Sequence, residues 1–137
     1  MLQTFPLLAL SLIVYTVLGL TVGDATTPWY DRQAFTILMM SGDIWKIGGG
    51  HLFISFSMLL LLLELLRSTR GGRASIFNHA FSVIVFIGAL LLFVTVKGYG
   101  NSVFFIFMSM TLIDFLAGFI ITTVSSRRDL SFRSVSD

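Results

Sequence analysis

Four apolar stretches, at about 5–22, 47–66, 76–96 and 102–124, dominate this chain. Each is close to the roughly 20 helical residues that cross about 30 Å of hydrocarbon at about 1.5 Å per residue. A segment without water around it must satisfy its own backbone, which makes all four helices. The fold expected is therefore all-α: an integral membrane four-helix bundle forming one domain over residues 1–125, followed by a basic tail over 126–137. The first run has no charge, and Met1, Leu2, Gln3 and Thr4 ahead of it lack the positive charge of a secretory leader, so it reads as a true span. Composition agrees: of 137 residues 55% are hydrophobic and 12% charged, with a mean hydropathy of +0.92, more apolar surface than a soluble domain of this size can hide.

Basic residues in short loops are retained on the cytoplasmic side, and this fixes an orientation. Arg67, Arg70 and Arg73 fall in the second connector and Arg127, Arg128 and Arg133 in the tail, whereas the opposite side has only Arg32, Lys46 and Lys97, diluted by Asp24, Asp31 and Asp43. Both termini are thus expected inside, with Arg67, Arg70, Arg73, Arg127 and Arg128 among lipid headgroups. Trp29, Tyr30, Trp45 and Tyr99 then lie on the outer side, at headgroup depth. The location expected is a multi-pass position in a membrane, the plasma (inner) membrane if the source is bacterial. A formal charge of +2 gives no basis for nucleic-acid binding, and the absence of cysteine excludes disulfides, thiolate nucleophiles and sulfur-ligated zinc or iron–sulfur sites.

The first connector is the long one. Thr27 as N-cap, Pro28 at the first helical position and Gly42 past the end predict a short interfacial helix over about 28–41, with Phe35, Leu38 and Met39 on its apolar face. Gly71, Gly72, Gly98 and Gly100 make the other two connectors tight hairpins, so the second, third and fourth helices are expected as neighbours in order.

Four polar residues are expensive inside a membrane. Asp114 sits near the middle of the last span, where an aspartate costs about 2.5–3.5 kcal/mol on insertion scales. Thr111, Asp114, Gly118 and Thr122 form one stripe that should face protein, leaving Phe104, Met108, Leu112, Phe115 and Phe119 toward lipid. Asp114 is then either a proton or cation site or an interhelical tie to a hydroxyl such as Ser57, Thr16 or Tyr15. Glu64 and His79 flank the second connector at matching depth and are expected to pair, with Arg67 beside them. His51, after Gly48, Gly49 and Gly50, reads as a packing histidine at a closely approached helix start, with ligation of a haem or chlorophyll as the alternative. Gly19 and Gly23 continue the stripe of Ser11 and Tyr15 as a helix-packing face for the bundle or for a partner.

No catalytic constellation, metal site or cofactor motif is legible, so a non-enzymatic role without cofactor is expected. The chain reads as an accessory or scaffold subunit that acts through helix association, as a homo-oligomer or within a larger membrane complex. The alternative is a small proton- or cation-coupled transporter or channel that oligomerises around Asp114.

Overall fold

Residues spaced alternately by three and four share one helix face, and such seams build this bundle. In the computed structural model, which describes the backbone of residues 5–23, 26–68 and 73–133 and their side chains except at 73–77, 79, 122 and 125–133, four helices are present: α1 (Leu7–Thr21), α2 (Gly49–Ser68), α3 (Arg73–Thr95) and α4 (Ser102–Arg133). The buried seams are Leu8, Ser11 and Tyr15 on α1, Gly50, Phe53, Ser57, Leu60, Leu61 and Glu64 on α2, Asn78, Ser82 and Ala89 on α3, and Phe104, Phe107, Thr111, Asp114 and Gly118 on α4. The closest helix pairs are α1 with α2, α1 with α3, α2 with α4 and α3 with α4. Going round the bundle the order is therefore α1, α2, α4, α3, and α2 faces α3 across the diagonal. The order expected from short connectors, with α2 directly beside α3, is corrected: α4 sits between them.

By length and composition, two segments are long and apolar enough to cross a membrane, Gly49–Ser68 and Ser102–Ile121; Leu7–Thr21 and Ala80–Thr95 are apolar but shorter.

The expected interfacial helix over 28–41 is not there. A β-hairpin takes its place, with β1 (Gln33–Leu38) antiparallel to β2 (Ile44–Gly48), Phe35 opposite Ile47 and Ile37 opposite Trp45. The physical reason is the density of β-branched and aromatic residues in 35–37 and 44–47, which favour a pleated strand over a helix. Pro28 and Gly42, read as helix start and stop, serve turns: Asp31 N–H donates to Pro28 O at 3.1 Å, and Gly42 takes φ +91° between the strands. Met39 N–H donates to Asp43 O at 2.8 Å to close the loop.

The three glycines ahead of His51 accept the close approach of this loop. Gly49 N–H donates to Arg32 O and Gly50 N–H to Tyr30 O, both at 2.9 Å, so loop carbonyls cap the first turn of α2. A Cβ on Gly49 would stand 2.5 Å from Trp29 O, and one on Gly50 2.7 Å from a methyl of Val103. Trp29, expected at headgroup depth, is carried into the core and is buried.

Candidate functional site

The polar residues on the four seams meet toward the end of the bundle remote from the hairpin. Glu64 of α2 accepts two bonds there: Leu8 N–H donates to Oε2 at 3.2 Å, and the Asn78 amide to Oε1 at 2.9 Å. The first bond places a carboxylate on the amino end of α1, where Pro6 provides no side-chain cap and helix N–H groups would otherwise be unsatisfied. The second reaches from α2 to α3 across the diagonal, and so crosses the bundle axis.

Asp114 lies about one turn further along. Ser82 donates through its hydroxyl to Asp114 Oδ2, and the same hydroxyl also lies 3.2 Å from Asn78 O. The pairing of depth follows from the tight α3–α4 turn: Ser82 precedes Thr95 by 13 residues and Asp114 follows Ser102 by 12. Because Asn78 and Ser82 are one helical turn apart, the carboxyls they hold are separated by about 6 Å along the axis, a separation at which two buried negative charges would repel. Glu64 and Asp114 are each 1% exposed, so both carboxyls are shut away from water. Ser11 on α1 and Ser57 on α2 are fully buried on the same seams, and neither hydroxyl has a hydrogen-bond partner among the described residues. Asn78 Oδ1 is likewise buried without one. Buried polar groups are nearly always bonded. This centre therefore has hydrogen-bonding capacity that none of the described residues uses.

Toward the hairpin the core becomes aromatic. Tyr15 packs against Phe104 (centroids 4.7 Å apart), Trp29 (5.1 Å), Phe53 (5.3 Å) and Tyr99 (5.3 Å), and Phe107 joins at 5.5–5.6 Å from Phe53 and Phe104. The hydroxyls of Tyr15 and Tyr99 are accounted for. Tyr15 donates to Gly98 O at 3.2 Å and accepts from Asn101 at 2.7 Å, while the hydroxyls of Thr16 and Tyr99 bond at 2.9 Å. Asn101 also caps α4, accepting from Phe104 N–H at 3.0 Å.

The residues singled out by sequence fall as follows. Asp114 and Glu64 are brought together. The expected ties of Asp114 to Ser57, Thr16 or Tyr15 are corrected to Ser82, since Thr16 and Tyr15 bond at the aromatic end. The side chain of His79 lies outside the described residues; the neighbour that holds Glu64 is Asn78, which was not foreseen. Arg70 and the side chains of Arg73, Arg127 and Arg128 also lie outside the described residues, as does that of Thr122. Arg67 is half-buried on α2. His51 is exposed and accepts the Gly48 N–H on Nδ1 at 3.1 Å, so it helps fix the strand-to-helix junction. Gly118 is buried in the α4 seam, whereas Gly19 and Gly23 are exposed, with Trp29 Nε1 3.8 Å from where a Gly19 Cβ would stand. Phe104, expected toward lipid, is fully buried, because the α4 seam continues through Phe107 and Phe104 instead of stopping at Thr111. Among the described residues no three His, Asp or Glu converge as metal ligands would. Asn78 and Ser82 had a signal in the sequence: two small polar residues one turn apart in an apolar run, at the depth of Glu64 and Asp114.

In comparisons with known proteins, no family model, no curated protein and no solved structure matches this chain at a significant level.

Proposed function

We propose that this chain is a four-span membrane protein that moves protons or small cations, with the Glu64–Asp114 centre as the exchange site. The polarity of the bundle supports the membrane part of this reading. Its outward faces are apolar on every helix, as at Leu20 (81% exposed), Leu62, Val94 (71%) and Phe119 (62%), while Ser11, Ser57, Glu64, Asn78, Ser82, Thr111 and Asp114 are buried. A protein folding in water arranges these the other way round. The two shorter helices fit a bilayer by local thinning or by anchoring at their ends.

The single observation that carries the exchange reading is a carboxyl pair inside a ring of four helices, supplied with hydroxyl and amide groups by all of them. One acid hydrogen-bonded to serine would suffice as an interhelical tie. Two acids close enough to repel are a costly way to join helices, but they are the arrangement that can hold and release one proton between them. The unused hydroxyls of Ser11 and Ser57 offer ligands to a dehydrated cation or positions for a proton relay. The aromatic layer then closes the hairpin side of the path.

A second reading, an accessory or scaffold subunit, is favoured by the hairpin, whose Leu38, Met40, Ile44 and Trp45 are exposed. Purified protein in liposomes carrying a pH-sensitive or cation-sensitive dye separates the two. The exchange reading expects a flux that Asp114→Asn abolishes in protein of unchanged fold. A flux equal in wild type and Asp114→Asn, or no flux from wild type under either gradient, would defeat it and leave the scaffold.

A further inference from the structure

We infer that the chain has a second site, a lipid-binding cleft between α1 and the α3–α4 turn that takes the anionic headgroup of a phospholipid and the upper part of its chain. It rests on the bilayer reading but not on the exchange centre, which lies at the other end of the bundle.

The cleft measures about 500 Å³, within the range of small-ligand sites, and runs beside Tyr15 and Gly19 of α1 and Gly23 just past its end, with Trp29, Lys97 and Tyr99 on its other walls. Its floor is open because Gly19 on α1 and Gly23 just past the helix end present no side chains there. A Cβ placed on Gly19 would meet nothing closer than Trp29 Nε1, at 3.8 Å. That indole nitrogen therefore borders the cleft. Trp29 is only 6% exposed as a residue, but its N–H makes no hydrogen bond among the described residues and is not one of the buried unpartnered atoms, so this donor opens on the cleft.

The unspent groups decide the ligand's chemistry. The hydroxyls of Tyr15, Thr16 and Tyr99 are engaged with each other's neighbours or with Asn101 and Gly98. What is left on the walls includes an indole N–H and the Lys97 ammonium, which is exposed and has no ion pair among the described residues. Both are donors only, one is a full positive charge, and the Tyr30 hydroxyl beside them can donate or accept, so an occupant with acceptor oxygens and negative charge suits these walls best. Position narrows this further. The cleft opens at the end of two apolar helices and continues along the exposed apolar side chain of Leu20, so a molecule with an anionic head and an alkyl chain fits both halves. The glycine stripe accepts the chain, and Lys97 and Trp29 the phosphate oxygens.

The test uses the full chain with Trp45→Phe, which leaves Trp29 as its sole tryptophan, in nanodiscs of phosphatidylcholine with increasing phosphatidylglycerol. Trp29 emission should shift and saturate with the anionic lipid. Lys97→Gln should weaken the midpoint by about five-fold, the loss of one near-surface lysine charge. Gly19→Leu, which projects into open space, should abolish the response while circular dichroism and thermal midpoint stay those of the parent. An equal response to phosphatidylcholine alone, or an unchanged midpoint in Lys97→Gln, overturns the proposal. So does an equal response to soluble inorganic phosphate, which would make this a free-anion site. A dimer that Gly19→Leu dissociates would instead assign the glycine stripe to a second copy. If Gly19→Leu fails to fold, Gly19→Ala with its smaller projection is read in the same titration and should weaken binding. Liposome flux through the Asp114 centre should be unaffected by Lys97→Gln, so this site and the exchange site fail separately.

Discussion

The two ends of this bundle are built on opposite principles. At the hairpin end Tyr15, Trp29, Phe53, Phe104 and Phe107 interlock, and each hydrogen-bonding group of Tyr15, Thr16 and Asn101 that faces them has a partner. At the far end Glu64, Asn78, Ser82 and Asp114 replace hydrophobic layers, and Ser11, Ser57 and Asn78 have polar atoms without a partner among the described residues. Filling space with rings stabilises a fold, whereas burying half-satisfied polar groups weakens it. The contrast teaches how the two ends divide their work under the proposed exchange reading: the aromatic end holds the helices together, which allows the polar end to keep capacity in reserve.

If that division holds, truncation at the aromatic end has the largest effect on stability. Phe104→Ala should destabilise by about 3–5 kcal/mol, as removal of a fully buried ring does, because Phe104 is 0% exposed and touches Tyr15, Tyr99 and Phe107. Denaturant unfolding in detergent measures it; a loss below about 1 kcal/mol would break the comparison at its stronger side.

Glu64→Ala tests the polar end where it is best satisfied. It strands the Leu8 N–H and the Asn78 amide, and should cost about 1–3 kcal/mol, the range for buried groups left unpaired. Hydrogen exchange should rise at the first turn of α1 and stay low near Tyr15. Uniform loss of protection through the bundle would mean that Glu64 supports the fold as a whole, erasing the distinction between ends.

Gly49→Ala sharpens the link between hairpin and bundle. Its Cβ would stand 2.5 Å from the Trp29 carbonyl, a backbone atom that cannot swing away, so a cost of about 1–3 kcal/mol is expected from overpacking. The readout is Trp29 fluorescence in a Trp45→Phe background together with the unfolding midpoint. A variant as stable as the parent with unaltered emission would show that the loop does not need to sit as closely as described.

How much of this was legible in the sequence differs between the ends. The apolar runs, the stripe of Thr111, Asp114 and Gly118, and the close approach at Gly48, Gly49 and Gly50 follow from spacing and residue size alone. The partners of Glu64 and Asp114 do not, because Asn78 and Ser82 become adjacent to them only once the α3–α4 turn sets relative depth and α4 enters between α2 and α3. The hairpin was misread for a local reason: proline and glycine punctuate helices and turns alike, and the deciding signal was the β-branched and aromatic content between them. Phe104 was misplaced because a phenylalanine suits lipid and core equally, and only the continued three-four spacing from Thr111 through Phe107 separates the two.

Asp114→Asn has the smallest expected effect on stability and bears most directly on the comparison. Asparagine has nearly the same shape, and its Oδ1 can accept the Ser82 hydroxyl where Asp114 Oδ2 does now. It removes the repulsion between the carboxyls, so the change in unfolding free energy should stay within about 1 kcal/mol of zero and could take either sign. A structural tie would be kept by this substitution and a proton site destroyed. An Asp114→Asn protein that unfolds as the parent does, yet has lost its flux, assigns the acid to exchange. One that loses about 3 kcal/mol or more, as breaking a buried charge arrangement does, would show that the charge itself holds α3 against α4, and the far end would then be part of the scaffold on which the aromatic end was thought to work alone.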